Sequence, residues 1–144
     1  MPVVISQVGT FRRVVILKAG SAPRLPGQGM QIDTPPSVGM PAIYLYKSPT
    51  AAGKCDAVLS VAPSGFPSLT STNGQGQAYD VAGGGEQRLL AGPGGVAMGD
   101  VVIDDADGNW VKQAAGELGK YVALEGAAAG ASFGARPALN TESN

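Results

Sequence analysis

The sequence predicts an all-β fold, and three observations predict it. Helical periodicity is nearly missing. The stretch GELGKYVALEGAAAG (116–130) resembles a helix in composition, but Gly116, Gly119, Gly126 and Gly130 interrupt it, and each interior glycine costs a helix about 1 kcal/mol against alanine. Short β-branched and aromatic runs recur along the chain instead, and clusters of Gly, Pro, Ser and Asp separate them, as in a chain of short strands joined by turns.

In chain order, MPVVISQVGT (1–10) comes first. Val3, Val4, Ile5 and Val8 are apolar and β-branched, so they want a strand partner; Pro2 and Gly9 bracket them. The segment reads as an extended N-terminal arm that adds to a neighbouring sheet edge, or else as the first strand of the chain's own domain. Arg12 and Arg13 give it a basic root. FRRVVILKA (11–19) follows as a strand, then the loops GSAPRLPGQG (20–29) and DTPPSVGMP (33–41). AIYLYK (42–47) is a strand whose Tyr44 and Tyr46 share a face at a spacing of two. DAVLSVA (56–62) is the next strand. APSGFPSLTSTNGQGQ (62–77) is a long polar loop, of the length that is functional or mobile. DVVID (100–104), NWVKQ (109–113) and KYVALE (120–125) are the remaining strands. Residues 11–138 make one β domain of ordinary size, and 139–144 a flexible tail.

The Asp-rich centre, DVVIDDADGNW (100–110), allows three readings. For an EF-hand loop, Gly108 at the sixth position puts Ile103 at the first and Ala114 at the twelfth, neither of which can ligate. A catalytic pair among Asp104, Asp105 and Asp107 needs one carboxyl raised in an apolar cleft, whereas these read as solvated at the tip of a turn. The turn reading fits: two strands joined across DADG, with Asp107-Gly108 supplying the positive φ that tight hairpins need. Trp110, the sole tryptophan, reads as a core or subunit-interface anchor.

Composition narrows the function classes. There is no histidine, so the commonest general base and metal ligand is missing. Cys55 is the only cysteine, which rules out an intrachain disulfide; it reads as a small buried hydrophobe. The expectation is no enzyme, no metal and no cofactor. Residues 1–60 hold six Lys/Arg against two Asp/Glu, and residues 61–144 four against nine. Opposite halves of neighbouring copies would attract, unless water simply solvates both. Neither half is basic enough for nucleic acid as the main partner, and no apolar run is long enough to span a membrane or serve as a signal segment. Val, Leu, Ile and Phe total 32 residues, a thin core that a partner would help to bury.

The C-terminal block, LLAGPGGVAMGDVVIDDADGNWVKQAAGELGKYVALEGAAAGASFGARPA (89–138), resembles the head-decoration, or capsid cement, proteins of tailed bacteriophages. Those carry a hairpin patterned GAAVAAGDLV-x-x-D-x-x-G-x-V, matched here by Val96, Met98, Gly99, Asp100, Val101, Asp107, Gly108 and Val111. They follow it with a strand and turn patterned GVALE-A-A-x-G, matched by Val122, Ala123, Leu124, Glu125, Ala127, Ala128 and Gly130. The family's last strand reads V-x-V-x-L, whereas ASFGARPAL (131–139) is interrupted by proline. The resemblance covers about 50 residues of the chain. It implies a compact β-barrel or β-tulip-like domain, a structural role without enzyme activity, a homotrimer, and the major capsid protein as partner. The place implied is the outer capsid surface of the virion, after synthesis in the host cytoplasm. Two other classes remain: another trimeric β-rich virion part, such as a tail or fibre knob, and a carbohydrate-binding module.

Overall fold

A computed structural model describes residues 12–17, 21–34, 43–61, 76–81, 85–139 and 142–144. Every regular element among them is a strand. Five strands, β1 (Arg12–Leu17), β2 (Gly29–Thr34), β3 (Ile43–Lys47), β4 (Ala57–Val61) and β5 (Gly76–Asp80), form a closed barrel in the order β1-β3-β2-β4-β5. The β1–β3 pair is parallel, with Val15 opposite Tyr44, and the other four pairs are antiparallel. Irregular register in β2 between Ile32 and Thr34, and in β4 between Leu59 and Val61, gives the bends that a small barrel needs.

The second sheet holds β6 (Gln87–Leu90), β7 (Val101–Asp104), β8 (Trp110–Lys112), β9 (Tyr121–Ala123) and β10 (Ser132–Pro137), in the order β6-β10-β9-β7-β8. Its two edges meet at one end. Ala91, just past β6, bridges Trp110 of β8, and the Gly92 N–H donates to the Trp110 carbonyl at 2.9 Å. The sheet thus curls nearly closed and shortens its exposed edges.

Two cores result. Val15, Leu17, Met30, Tyr46, Ala57, Leu59 and Ala78 fill the barrel. Leu89, Val102, Trp110, Tyr121, Ala123, Phe133 and Ala135 fill the second sheet, joined by Cys55 and Val58 from the barrel side. Strand β4 serves both: Ala57 and Leu59 face into the barrel, and Val58 between them faces the other core. A strand buried on both faces reads as an unbroken apolar run, which explains the sequence AVL. Each large side chain so buried contributes about 1.5–3 kcal/mol.

Four strands lay outside the runs read from the sequence: β2, β5, β6 and β10. The proline in β10 is tolerated because of register. Ser132–Ala135 pair with β6, and Pro137 pairs only with Tyr121 of β9, so its missing N–H falls beyond the reach of β6.

Residues 142–144, within the stretch read as a flexible tail, are bonded to the sheet. Asn144 Oδ1 accepts from the Val101 N–H at 2.8 Å, and Asn144 Nδ2 donates to the Val101 and Gln113 carbonyls. Arg136 grips Glu142 through two 2.6 Å bonds and holds its carboxyl down to about 2. Replacing Asn144 by alanine removes the side-chain bonds to Val101, and an expected loss of about 1–2 kcal/mol should appear as a lower midpoint in urea melts.

Candidate functional site

The hairpin of β7 and β8 is the element on which the sequence reading converged. The Asp105 N–H donates to the Asn109 carbonyl at 2.7 Å, and the Gly108 N–H to the Asp105 carbonyl at 3.0 Å. Asp105 Oδ1 accepts from the N–H groups of Asp107 and Asn109, which is how a turn aspartate replaces missing backbone partners. Gly108 has φ of +85°, and no described non-glycine residue has positive φ. Asp107 therefore does not share the left-handed conformation; the turn is a longer one closed by a left-handed glycine, not a two-residue primed turn.

Two expectations about this turn are corrected. Its tip is not a free end in solvent. The β1–β2 connection lies against it: the Gly29 N–H donates to the Gly108 carbonyl at 2.7 Å, Gln28 Nε2 to Asn109 Oδ1 at 2.9 Å, and Arg24 Nη1 to the Asp107 carbonyl. Burial lowers the Arg24 pKa, and Asp107 and Asp105 partly offset this. Nor are all three aspartates solvated. Asp104 is wholly buried, because it continues the inward face of Val102 at a spacing of two.

Asp104 is the centre of a polar clasp between barrel and sheet. Its Oδ1 accepts from Lys120 Nζ at 2.8 Å, and its Oδ2 from the Cys55 N–H at 3.0 Å. Lys120 Nζ also donates to the carbonyls of Gly53 and Cys55, at 2.9 and 3.0 Å, and lies 3.4 Å from Cys55 Sγ. The Gly53 N–H donates to the Asp104 carbonyl. Burial pushes the Cys55 thiol far up, reinforced by Asp104, so it sits there as a thiol and not as a nucleophile. The sequence signal for Asp104 was its place in the VVID alternation; nothing local marked Lys120 as its partner.

Trp110 is fully buried in the second core. Its Nε1 donates to the Gly27 carbonyl at 3.0 Å, and its ring meets that of Tyr121 edge-on, with centroids 5.2 Å apart. It therefore anchors the β1–β2 connection to the sheet within one chain. Arg12 and Arg13 open β1, paired with Tyr79 and Ala78 of β5. Val3, Val4, Ile5 and Val8 lie outside the described residues. Among those described, no three His, Cys, Asp or Glu side chains gather as a metal site requires.

The outer surface presents large apolar side chains at Met98, Leu139 and Leu118, which are 75%, 66% and 53% exposed. The backbone that carries Met98 is held in a turn: the Asp100 N–H donates to the Ala97 carbonyl, the Ala97 N–H to Asp100 Oδ2, and the Gly99 N–H to the Ala123 carbonyl of β9.

No protein-family model matches this chain, and no curated protein matches it in sequence. Its fold is similar to a phage head-fibre base. The solved structure is that of the head fiber gp8.5 N base in bacteriophage phi29, with a TM-score of 0.53 and 10% identity, covering 90% of this chain and 94% of that one. At that identity the likeness concerns the fold, and its coverage takes in both the barrel and the second sheet.

Proposed function

We propose that this chain is a structural protein of a phage virion, a cement protein that sits as a trimer on the outer surface of the head and stabilises the shell. The observation that carries the proposal is the fold likeness to a phage head-fibre base over nearly the whole length of both chains. The resemblance of residues 89–138 to head-decoration proteins agrees with it, as do the exposed Met98, Leu118 and Leu139. A protein that binds the assembled shell and not its separated subunits stabilises the assembled state by mass action, and a trimer spanning several capsid subunits multiplies weak contacts.

The same likeness favours a second reading, the base of a head fibre. The two differ in stoichiometry and in effect on the shell. A cement protein saturates many sites and raises the temperature at which emptied shells rupture. A fibre base occupies few sites and leaves that temperature unchanged. Co-sedimentation with purified emptied shells, followed by a rupture melt, separates them; failure to co-sediment at micromolar concentration rejects both. Within this reading residues 1–10 act as an arm on the shell or a neighbouring copy. Deleting residues 1–8 should leave the melting temperature of the free protein nearly unchanged and sharply weaken shell binding. A truncated chain that unfolds, or binds as tightly as the full one, would show the segment to be a strand of the domain or an idle end.

A further inference from the structure

The chain carries four methionines and one cysteine, and Met30, Cys55 and Met98 lie among the described residues. The fold exposes their sulfurs very unequally. Met30 is 0% exposed in the barrel core, among Val15, Leu17, Tyr46 and Leu59. Cys55 is 5% exposed; Lys120 Nζ lies 3.4 Å from its Sγ, and a Cβ on Gly29 would come within 3.0 Å of it. Burial, reinforced by Asp104, holds the Cys55 thiol well above its ordinary pKa. The thiolate, which is the form that peroxide oxidises, is therefore scarce. Met98 is 75% exposed, and residues 97–99 of its turn all face solvent.

A thioether needs no deprotonation before it reacts, so access decides which methionine is oxidised. A sulfur lone pair attacks one oxygen of hydrogen peroxide, the O–O bond breaks, and the second oxygen leaves as water. The thioether and one peroxide become one sulfoxide and one water; sulfur gives up two electrons and the peroxide takes them. We propose that, of the described sulfurs, Met98 is the one that hydrogen peroxide modifies in the folded chain, and that its oxidation releases the chain from the shell. The release rests on the cement reading above, with Met98 among the contacts. The sulfoxide is polar where the thioether was apolar, and at a docked surface its oxygen becomes a buried polar group without a donor. Met98 belongs to neither core, so the same change leaves the fold intact.

The test treats the full folded chain with millimolar hydrogen peroxide and maps the product by peptide mass. One added oxygen should appear on the peptide that holds Met98 well before those that hold Met30 and Cys55. In concentrated urea Met30 should catch up with Met98, which makes the fold the cause of the order. Thermal melts of the oxidised chain should match those of the parent. Its binding to emptied shells should fall about tenfold, the scale of one buried polar group left unpaired, and methionine sulfoxide reductase should restore it. Met98→Leu keeps an apolar side chain and removes this sulfur, so peroxide should leave its shell binding unchanged. Met30 or Cys55 oxidised as fast as Met98 in the folded chain overturns the site. Met98 oxidised with shell binding unchanged overturns the release, as does a Met98→Leu chain that peroxide also releases. A chain that ignores shells before treatment overturns the cement reading and the release together, whereas the mass map supports or overturns the site on its own.

Discussion

Replacing Lys120 by methionine should cost about 3–5 kcal/mol of folding stability, the usual loss when one partner of a buried ion pair is removed. The reason is what stays behind. Asp104 is wholly buried, and without Lys120 its carboxylate keeps, among the described residues, the N–H and the thiol of Cys55 but no cation. The carbonyls of Gly53 and Cys55 lose their donor as well. Denaturant midpoints at neutral pH measure the loss. The double replacement Asp104→Leu, Lys120→Met should recover most of it, since removing both charges removes the desolvation cost too. A single variant within 0.5 kcal/mol of the parent, the usual range for exposed sites, would show that water reaches the clasp. The pH dependence has a definite sign. Burial alone would lower the Lys120 pKa; Cys55 and Asp104 outweigh it, and the net shift is upward. A base with a raised folded pKa contributes stability in full below its unfolded value, about 10.4, and loses it as pH rises through the folded value. Alkaline melts therefore report on the Lys120 side of this clasp.

Gly108→Val should be nearly as damaging, at about 3 kcal/mol, the upper end for a residue forced into the left-handed region. Two effects coincide at this position. The φ of +85° is strained for any β-branched residue. A Cβ there would also lie 2.4 Å from the Gly29 carbonyl oxygen and 2.9 Å from Arg24 Nη1, where the β1–β2 connection binds the turn. Gly94 supplies the control, since it has a similar φ of +87° and nothing within 4 Å of a Cβ. Gly94→Val should show the strain alone. Equal melting temperatures for the two variants would mean that the seam at Gly108 adds nothing. A Gly108→Val chain as stable as the parent would dispose of the left-handed turn as well.

Residue pattern by itself determined the all-β class, the positions of β1, β3, β4, β7, β8 and β9, the glycine-closed turn at Gly108 and the burial of Cys55. These are local properties: β-branched runs, alternation at a spacing of two, and a turn chemistry that needs neighbours only a few residues away. The tertiary structure decided the rest. Strand β2, GMQIDT, and strand β5, GQAYD, carry too little β-branched sequence to declare themselves; they are strands because the barrel offers each of them two paired neighbours. In β5 the small Gly76 and Ala78 point inward and fit a narrow barrel. The charge state of the interior was equally out of reach. Asp104 looks like one more solvated turn aspartate until Lys120, sixteen residues later, and the loop at Gly53 and Cys55 close around it. A buried carboxylate is tolerable only where a cation and donors converge in space, and that convergence is a property of how the barrel meets the second sheet, which no local pattern encodes.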